Sequence, residues 1–101
     1  MPPLAKSVHD LATGVTYYLA SDRQHMFAMS AKGVIIWTRD LGEASDFGPN
    51  AHVTDFTLAD PQWWYFTRQN HRAQDYLQVS FGMAFGVIQK STGQVTYLGS
   101  D

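Results

Sequence analysis

Cysteine is absent from all 101 residues, which removes disulfides, thiolate nucleophiles and cysteine-based zinc or iron–sulfur sites from the available chemistry. Charge is scarce as well. Charged residues make up 16% of the chain, against about a quarter in ordinary soluble domains, so long solvated helices and disordered tails are not expected. Seven Lys plus Arg stand against nine Asp plus Glu, a net charge of -2. That balance lacks the cationic cluster that a phosphate backbone or an anionic membrane surface requires, and neither nucleic acid nor membrane is expected as a partner. Glu43 is the sole glutamate, which nearly eliminates the residue most used as general acid in glycosidase-type sites. No apolar stretch approaches the roughly 20 residues that cross a bilayer, and Met1 to Asp10 lacks the apolar run of a secretory signal. The expectation is a cytoplasmic protein.

What remains is apolar and aromatic. Residues of those types fill 45% of the chain, with 14% Phe, Trp and Tyr, and aromatic side chains suit the half-buried surface of a pleated sheet. At this length one core is feasible and two are not, so residues 1–101 are expected to form a single β-rich domain. A short N-terminal helix is predicted over Pro3 to Ala12, because Leu4, Val8 and Leu11 recur at i, i+4 and i+7 and Gly14 suits its stop. Beyond Gly14, turn residues punctuate apolar runs. Strands are predicted at Val15 to Ala20, His25 to Ser30, Val34 to Arg39, His52 to Leu58, Trp63 to Arg68, Asp75 to Phe81, Met83 to Gln89 and Gln94 to Leu98. The clearest is Val34-Ile35-Ile36-Trp37-Thr38-Arg39, whose four β-branched residues would crowd a helix. About eight short strands at this spacing indicate an all-β antiparallel meander: a sandwich, a barrel or a propeller-like sheet.

Two stretches echo each other. Met26 to Trp37 and Ala84 to Tyr97 each read as an apolar strand, a lysine-containing turn closed by glycine (Gly33, Gly93) and a strand ending in an aromatic residue, followed by Leu-Gly. With its preceding Tyr18-Leu19-Ala20-Ser21-Asp22, the first copy resembles the repeat of quinoprotein-type β-propellers, in which a strand, a Gly turn and a strand ending in Trp form the middle of a blade. The second copy departs by carrying Tyr97 for the tryptophan. Two blades cannot close a ring, so a propeller would require self-association, or else the two copies are simply two hairpins in one sheet or sandwich; no quinone- or metal-binding motif of that family has a counterpart here. The ending, through Thr92-Gly93 to Gly99-Ser100-Asp101, is similar to the ends of small bacterial immunity proteins. That resemblance implies binding through an exposed acidic or aromatic face.

Motifs for chemistry are few. His9, His25, His52 and His71 are scattered, without the close pairing of metal ligands. There is no G-x-S-x-G elbow, Walker loop or G-x-G-x-x-G, and no cofactor is expected. His52, Asp55 and His71 could serve a small enzyme or ligand-binding barrel only if the fold gathered them. Trp63-Trp64-Tyr65-Phe66 is the most unusual local feature. As a strand it would send Trp63 and Tyr65 to one face and Trp64 and Phe66 to the other, so that one pair fills the core and the other is either covered or left as a contact patch. Arg68, His71 and Arg72, in the loop just beyond, either rim such a patch or form an ordinary solvated turn. From Asp40 to Asp60 there is no Lys or Arg, and Glu43 and Asp46 make that stretch an acidic surface or simply a solvated loop. These features favour a non-enzymatic module that binds a protein partner or itself, an immunity or inhibitor protein being the sharpest form; the alternatives are the small enzyme or barrel and a self-assembling propeller-like repeat.

Overall fold

The computed structural model describes residues 3–41, 52–63, 66 and 71–100. Among them, eight strands form two antiparallel four-stranded meanders: β1 (Leu4–His9), β2 (Thr16–Ala20), β3 (His25–Met29) and β4 (Ile35–Asp40) in the first sheet, and β5 (Asp55–Leu58), β6 (Tyr76–Phe81), β7 (Ala84–Gln89) and β8 (Val95–Ser100) in the second. Neighbours in sequence are neighbours in space in both sheets. The sheets stay separate and do not close into a barrel.

Alternation decides which side chains go inward. In β2 Tyr17 and Leu19 are buried, in β3 Met26 and Ala28, and in β6 Leu77, Val79 and Phe81. With Trp37, Leu41, Val53, Phe56 and Ile88 they form one cluster fed by both sheets. Burying each large apolar side chain contributes about 1.5–3 kcal/mol, so this shared core is what joins the two meanders. β7 is buried on both sides. Ile88 enters the main core, whereas Val87 points the other way and packs under Phe66, with Trp63, Ala73, Tyr76 and Leu98 around it.

The predicted N-terminal helix is not formed. Residues Leu4–His9 are strand β1, paired with β2 through Lys6↔Leu19, Ser7↔Tyr18, Val8↔Tyr17 and His9↔Thr16. Its burial follows a period of two, with Lys6 and Val8 turned inward. Leu4 and Leu11, two members of the helical spacing, are exposed instead. A ten-residue helix is marginal in isolation, and pairing with β2 satisfies the same backbone groups while Val8 reaches the core.

The strand expected at Trp63 to Arg68 is also missing among its described residues. Trp63 N donates to Asp60 O at 3.1 Å and Phe66 N to Trp63 O at 3.0 Å, the bonds of tight turns. Trp63 and Phe66, which a strand would send to opposite faces, meet edge to face at 5.8 Å and lie on the outer side of the second sheet. Trp64 and Tyr65 lie outside the described residues.

The sequence echo has a structural counterpart. Tyr17↔Ala28, Tyr18↔Phe27 and Leu19↔Met26 in the first sheet become Leu77↔Ile88, Gln78↔Val87 and Val79↔Gly86 in the second, each partner 60 positions on (77 against 17, 88 against 28). The fourth strands are slipped. Trp37 stands opposite Ala28, but Val95, not Tyr97, stands opposite Ile88. Both final hairpins contain a register shift, between Ala28 and Met29 and between Phe85 and Gly86. The first breaks the alternation of β4 beside Ile35 and Ile36.

Candidate functional site: the turn-bearing end of the sheets

Two turns of the same construction meet at one end of the molecule. In the first, Asp10 N donates to Val15 O and Gly14 N to Asp10 O, at 2.9 and 2.8 Å; in the second, Gln89 N donates to Gln94 O and Gly93 N to Gln89 O, at the same two distances. Side chains repeat the pattern. Thr13 Oγ1 donates to Asp10 Oδ2 (3.1 Å) and Thr92 Oγ1 to Gln89 Oε1 (3.0 Å), while Thr13 and Thr92 each accept a backbone N–H two residues on. The turns are joined by Lys90, whose Nζ donates to Asp10 Oδ2 at 2.8 Å, with side chains only 13% and 7% exposed.

Trp37 completes the junction. Its Nε1 donates to Lys90 O at 2.7 Å, its indole lies 6.1 Å from the Tyr17 ring, and Arg39 Nη2 donates to Thr92 O at 3.2 Å. Burial alone would raise the Asp10 pKa, but hydrogen bonds from Lys90 and the Ala12 amide, with the positive charge of Lys90, outweigh it and hold the carboxyl below its ordinary value. Burial, helped by the negative charge of Asp10, pushes the Tyr17 phenol up to about 12. Asp10 is therefore ionised and Tyr17 protonated across neutral pH, and the pair presents fixed charge and dipole.

Beside this junction lies a cleft of about 470 Å³ lined by Thr13, Val15, Tyr17, Ile36, Gln74 and Lys90, among others. Asp75, in the 3₁₀ turn Ala73–Asp75, also borders it. A second cleft, which shares Gln74 and Lys90, extends toward Leu58, Pro61 and Arg72. Ile36, 45% exposed, borders the first cleft, and nearby segments carry further exposed apolar side chains: Leu11 at 89%, Val34 at 61% and Ile35 at 55%. The β1–β2 turn with Leu11 and the β3–β4 turn that leads through Val34 into β4 are neighbours: a Cβ built on Gly14 would lie 3.2 Å from Ala31 Cβ.

The residues that sequence reasoning singled out are dispersed. Trp63 is half-buried, packed edge to face against Phe66 and Phe85 at 5.8 Å each. His71 is half-buried too, with Tyr76 Oη 3.3 Å from its Nδ1. Arg72 is exposed and lines the second cleft. Tyr65, Arg68, Glu43 and Asp46 lie outside the described residues. His52 is exposed, and Asp55 meets Lys6 Nζ at 2.5 Å, a bond that lowers its pKa against a smaller opposing effect of burial.

His52, Asp55 and His71 are not gathered as a triad. Asp55 pairs with Ser80 near one end of β6, and His71 packs on Tyr76 at the other, a separation along the strand of about 13 Å. Among the described residues no three His, Asp or Glu side chains are placed to hold a metal ion, and no helix is long and apolar enough to cross a membrane.

Sequence reasoning missed Asp10, Tyr17, Lys90 and the exposed apolar side chains near them. A signal existed: Asp10-x-x-Thr13-Gly14 and Gln89-x-x-Thr92-Gly93 share a polar residue, threonine and glycine at equal spacing. No family model, no curated protein and no solved structure matches the chain.

Proposed function

We propose that this chain is a non-enzymatic interaction module that binds a protein partner through the turn-bearing end of its two sheets. One observation carries the reading: Leu11 and Val34, on the adjoining β1–β2 and β3–β4 turns, and Ile35 and Ile36, at the start of β4, are 45–89% exposed. Isolated apolar side chains at a surface need no explanation, but four large ones on neighbouring segments, one of them lining a cleft, fit a contact site. The fixed state of Asp10 and Tyr17 supports the same view, since general acid–base work calls for groups poised near neutral pH. An immunity or inhibitor protein belongs to this class of module.

A second reading, a self-assembling propeller-like repeat, draws on the 60-residue recurrence of register. Against it, Phe66 covers Val87 on the outer side of the second sheet, where another blade would have to stack. The two meanders are better read as a two-layer sandwich. An enzyme built on His52, Asp55 and His71 would need a convergence that opposite ends of β6 do not offer.

The test compares immobilised chain with an Ile35→Glu, Ile36→Lys variant whose circular dichroism and melting temperature match it. A protein held stoichiometrically by the first and lost by the second supports the reading. Equal retention by both sinks it.

A further inference from the structure

We propose that the cleft beside the Asp10–Lys90 junction binds a small neutral polyhydroxylated molecule of sugar-ring size, one hydroxyl of which accepts a hydrogen bond from the Tyr17 phenol. The site adjoins the exposed apolar side chains but does not depend on their reading as a protein contact.

The phenol carries the inference. Tyr17 is 1% exposed, and its ring packs on Trp37 within the main core. A tyrosine buried this far ordinarily satisfies its hydroxyl inside the protein. Tyr17 Oη has no hydrogen-bond partner among the described residues. No fully enclosed side-chain nitrogen or oxygen among them lacks a partner, so the small exposed part of Tyr17 includes its oxygen. The surface that Tyr17 lines is the cleft of about 470 Å³, a volume in the range of small-molecule sites. Burial pushes the phenol pKa up to about 12, so the donor persists across neutral pH.

The remaining lining sets the class of ligand. Lys90 Nζ donates to Asp10 Oδ2 at 2.8 Å, which uses one of the three N–H groups of an ammonium. Gln89 Oε1 accepts from Thr92 Oγ1, which leaves the amide N–H groups as donors. Lys90 N donates to Asp75 O at 2.9 Å, and the Asp75 carboxylate, exposed in the same lining, has no side-chain partner among the described residues.

Charge argues against an ion. Lys90 and Asp10 neutralise each other, and Asp75 leaves the cleft one negative charge, so an anion is repelled. A simple cation would answer Asp75 but give the phenol and the ammonium no acceptor. A hydroxyl does both: it accepts from Tyr17 or Lys90 and donates to Asp75. Val15 and Ile36, in the same lining, offer apolar surface to the C–H face of a sugar ring.

Titration of the full chain with D-glucose, D-galactose and myo-inositol to high millimolar concentration tests the proposal, followed by amide NMR shifts, with sodium acetate and methylammonium chloride as charged controls. At least one polyol is expected to shift residues 13–17 and 89–91, and neither control is. Tyr17→Phe should weaken that binding about fivefold, the worth of one hydrogen bond between uncharged groups, and leave the melting temperature unchanged, because the hydroxyl holds nothing within the protein. Ile35→Glu, outside the lining, should leave it intact. The proposal is overturned by the absence of a shift with every polyol, by binding that Tyr17→Phe does not weaken, or by a stronger response to either ion. A crystal soaked in the bound polyol that shows only water on Tyr17 Oη overturns it too. The two readings fail separately: a protein captured by the chain and lost from Ile35→Glu, with no polyol bound, removes this site and leaves the contact surface standing.

Discussion

Replacing Gly93 by alanine should destabilise the protein far more than the same change at Gly33. Both glycines hold left-handed backbone, with φ of 77° and 81°, so each alanine incurs the same conformational cost of about 1–2 kcal/mol. Their surroundings differ. A Cβ on Gly33 meets nothing within 4 Å, whereas one on Gly93 lies 2.6 and 2.7 Å from Trp37 Cε3 and Cδ2 and 3.0 Å from Arg39 Cγ. The indole cannot simply withdraw, because its Nε1 donates to Lys90 O and its ring sits in the core. Relief requires overpacking, at about 1–3 kcal/mol, or loss of that hydrogen bond, at about 1 kcal/mol. The total for Gly93→Ala is thus about 2–5 kcal/mol against about 1–2 for Gly33→Ala. In a domain of this size the extra cost of about 1–3 kcal/mol corresponds to a melting temperature lower by roughly 4–24 °C. Urea unfolding followed by tryptophan fluorescence and far-ultraviolet circular dichroism would measure both. Equal costs at the two positions would refute the packing of the β7–β8 turn on Trp37.

Lys90→Met should cost about 3 kcal/mol in urea, the lower end for breaking a buried ion pair, because Asp10 keeps its bonds from Ala12 N and Thr13 Oγ1; a loss within 0.5 kcal/mol would contradict the assigned contact. Acid titration of stability follows from the depressed Asp10 pKa. Its contribution is fully present above the unfolded value and disappears as pH falls through the lower folded value, so Asp10→Asn should flatten the stability profile below about pH 4. At the surface, Lys6→Met should let the Asp55 carboxyl rise toward its ordinary pKa in a carbon-detected NMR titration, since the Lys6 hydrogen bond is the main cause of its depression.

The strands from β2 onward were legible because their signals were local and redundant. β-Branched and aromatic runs were bounded by Ser21-Asp22, Lys32-Gly33 and Thr92-Gly93, and seven of the predicted segments match observed strands. The N-terminus misled because Leu4, Val8 and Leu11 fit a helical period by coincidence. Pairing to β2, a long-range fact, selected the strand. Trp63 to Phe66 misled for a related reason. Aromatic runs favour strands when they have a neighbour to pair with, but here Phe66 was needed to cover Val87, which β7 exposes on its second side. The candidate site was hidden because its members lie far apart in sequence. Lys90 is 80 positions from Asp10 and 53 from Trp37, and only the stacking of the sheets makes them neighbours. Exposure of Ile35 and Ile36 was equally unreadable, since it follows from the register shift opposite Met29.

Amide hydrogen exchange of the chain bound to a protein partner it captures, against the chain alone, addresses the functional account most directly. Protection should be gained at residues 31–36 and 10–14, around the exposed Val34, Ile35 and Leu11, while the opposite end, where Met83 is 68% exposed, remains unchanged. Protection that appears around Met83 and leaves residues 31–36 exchanging as before would contradict it.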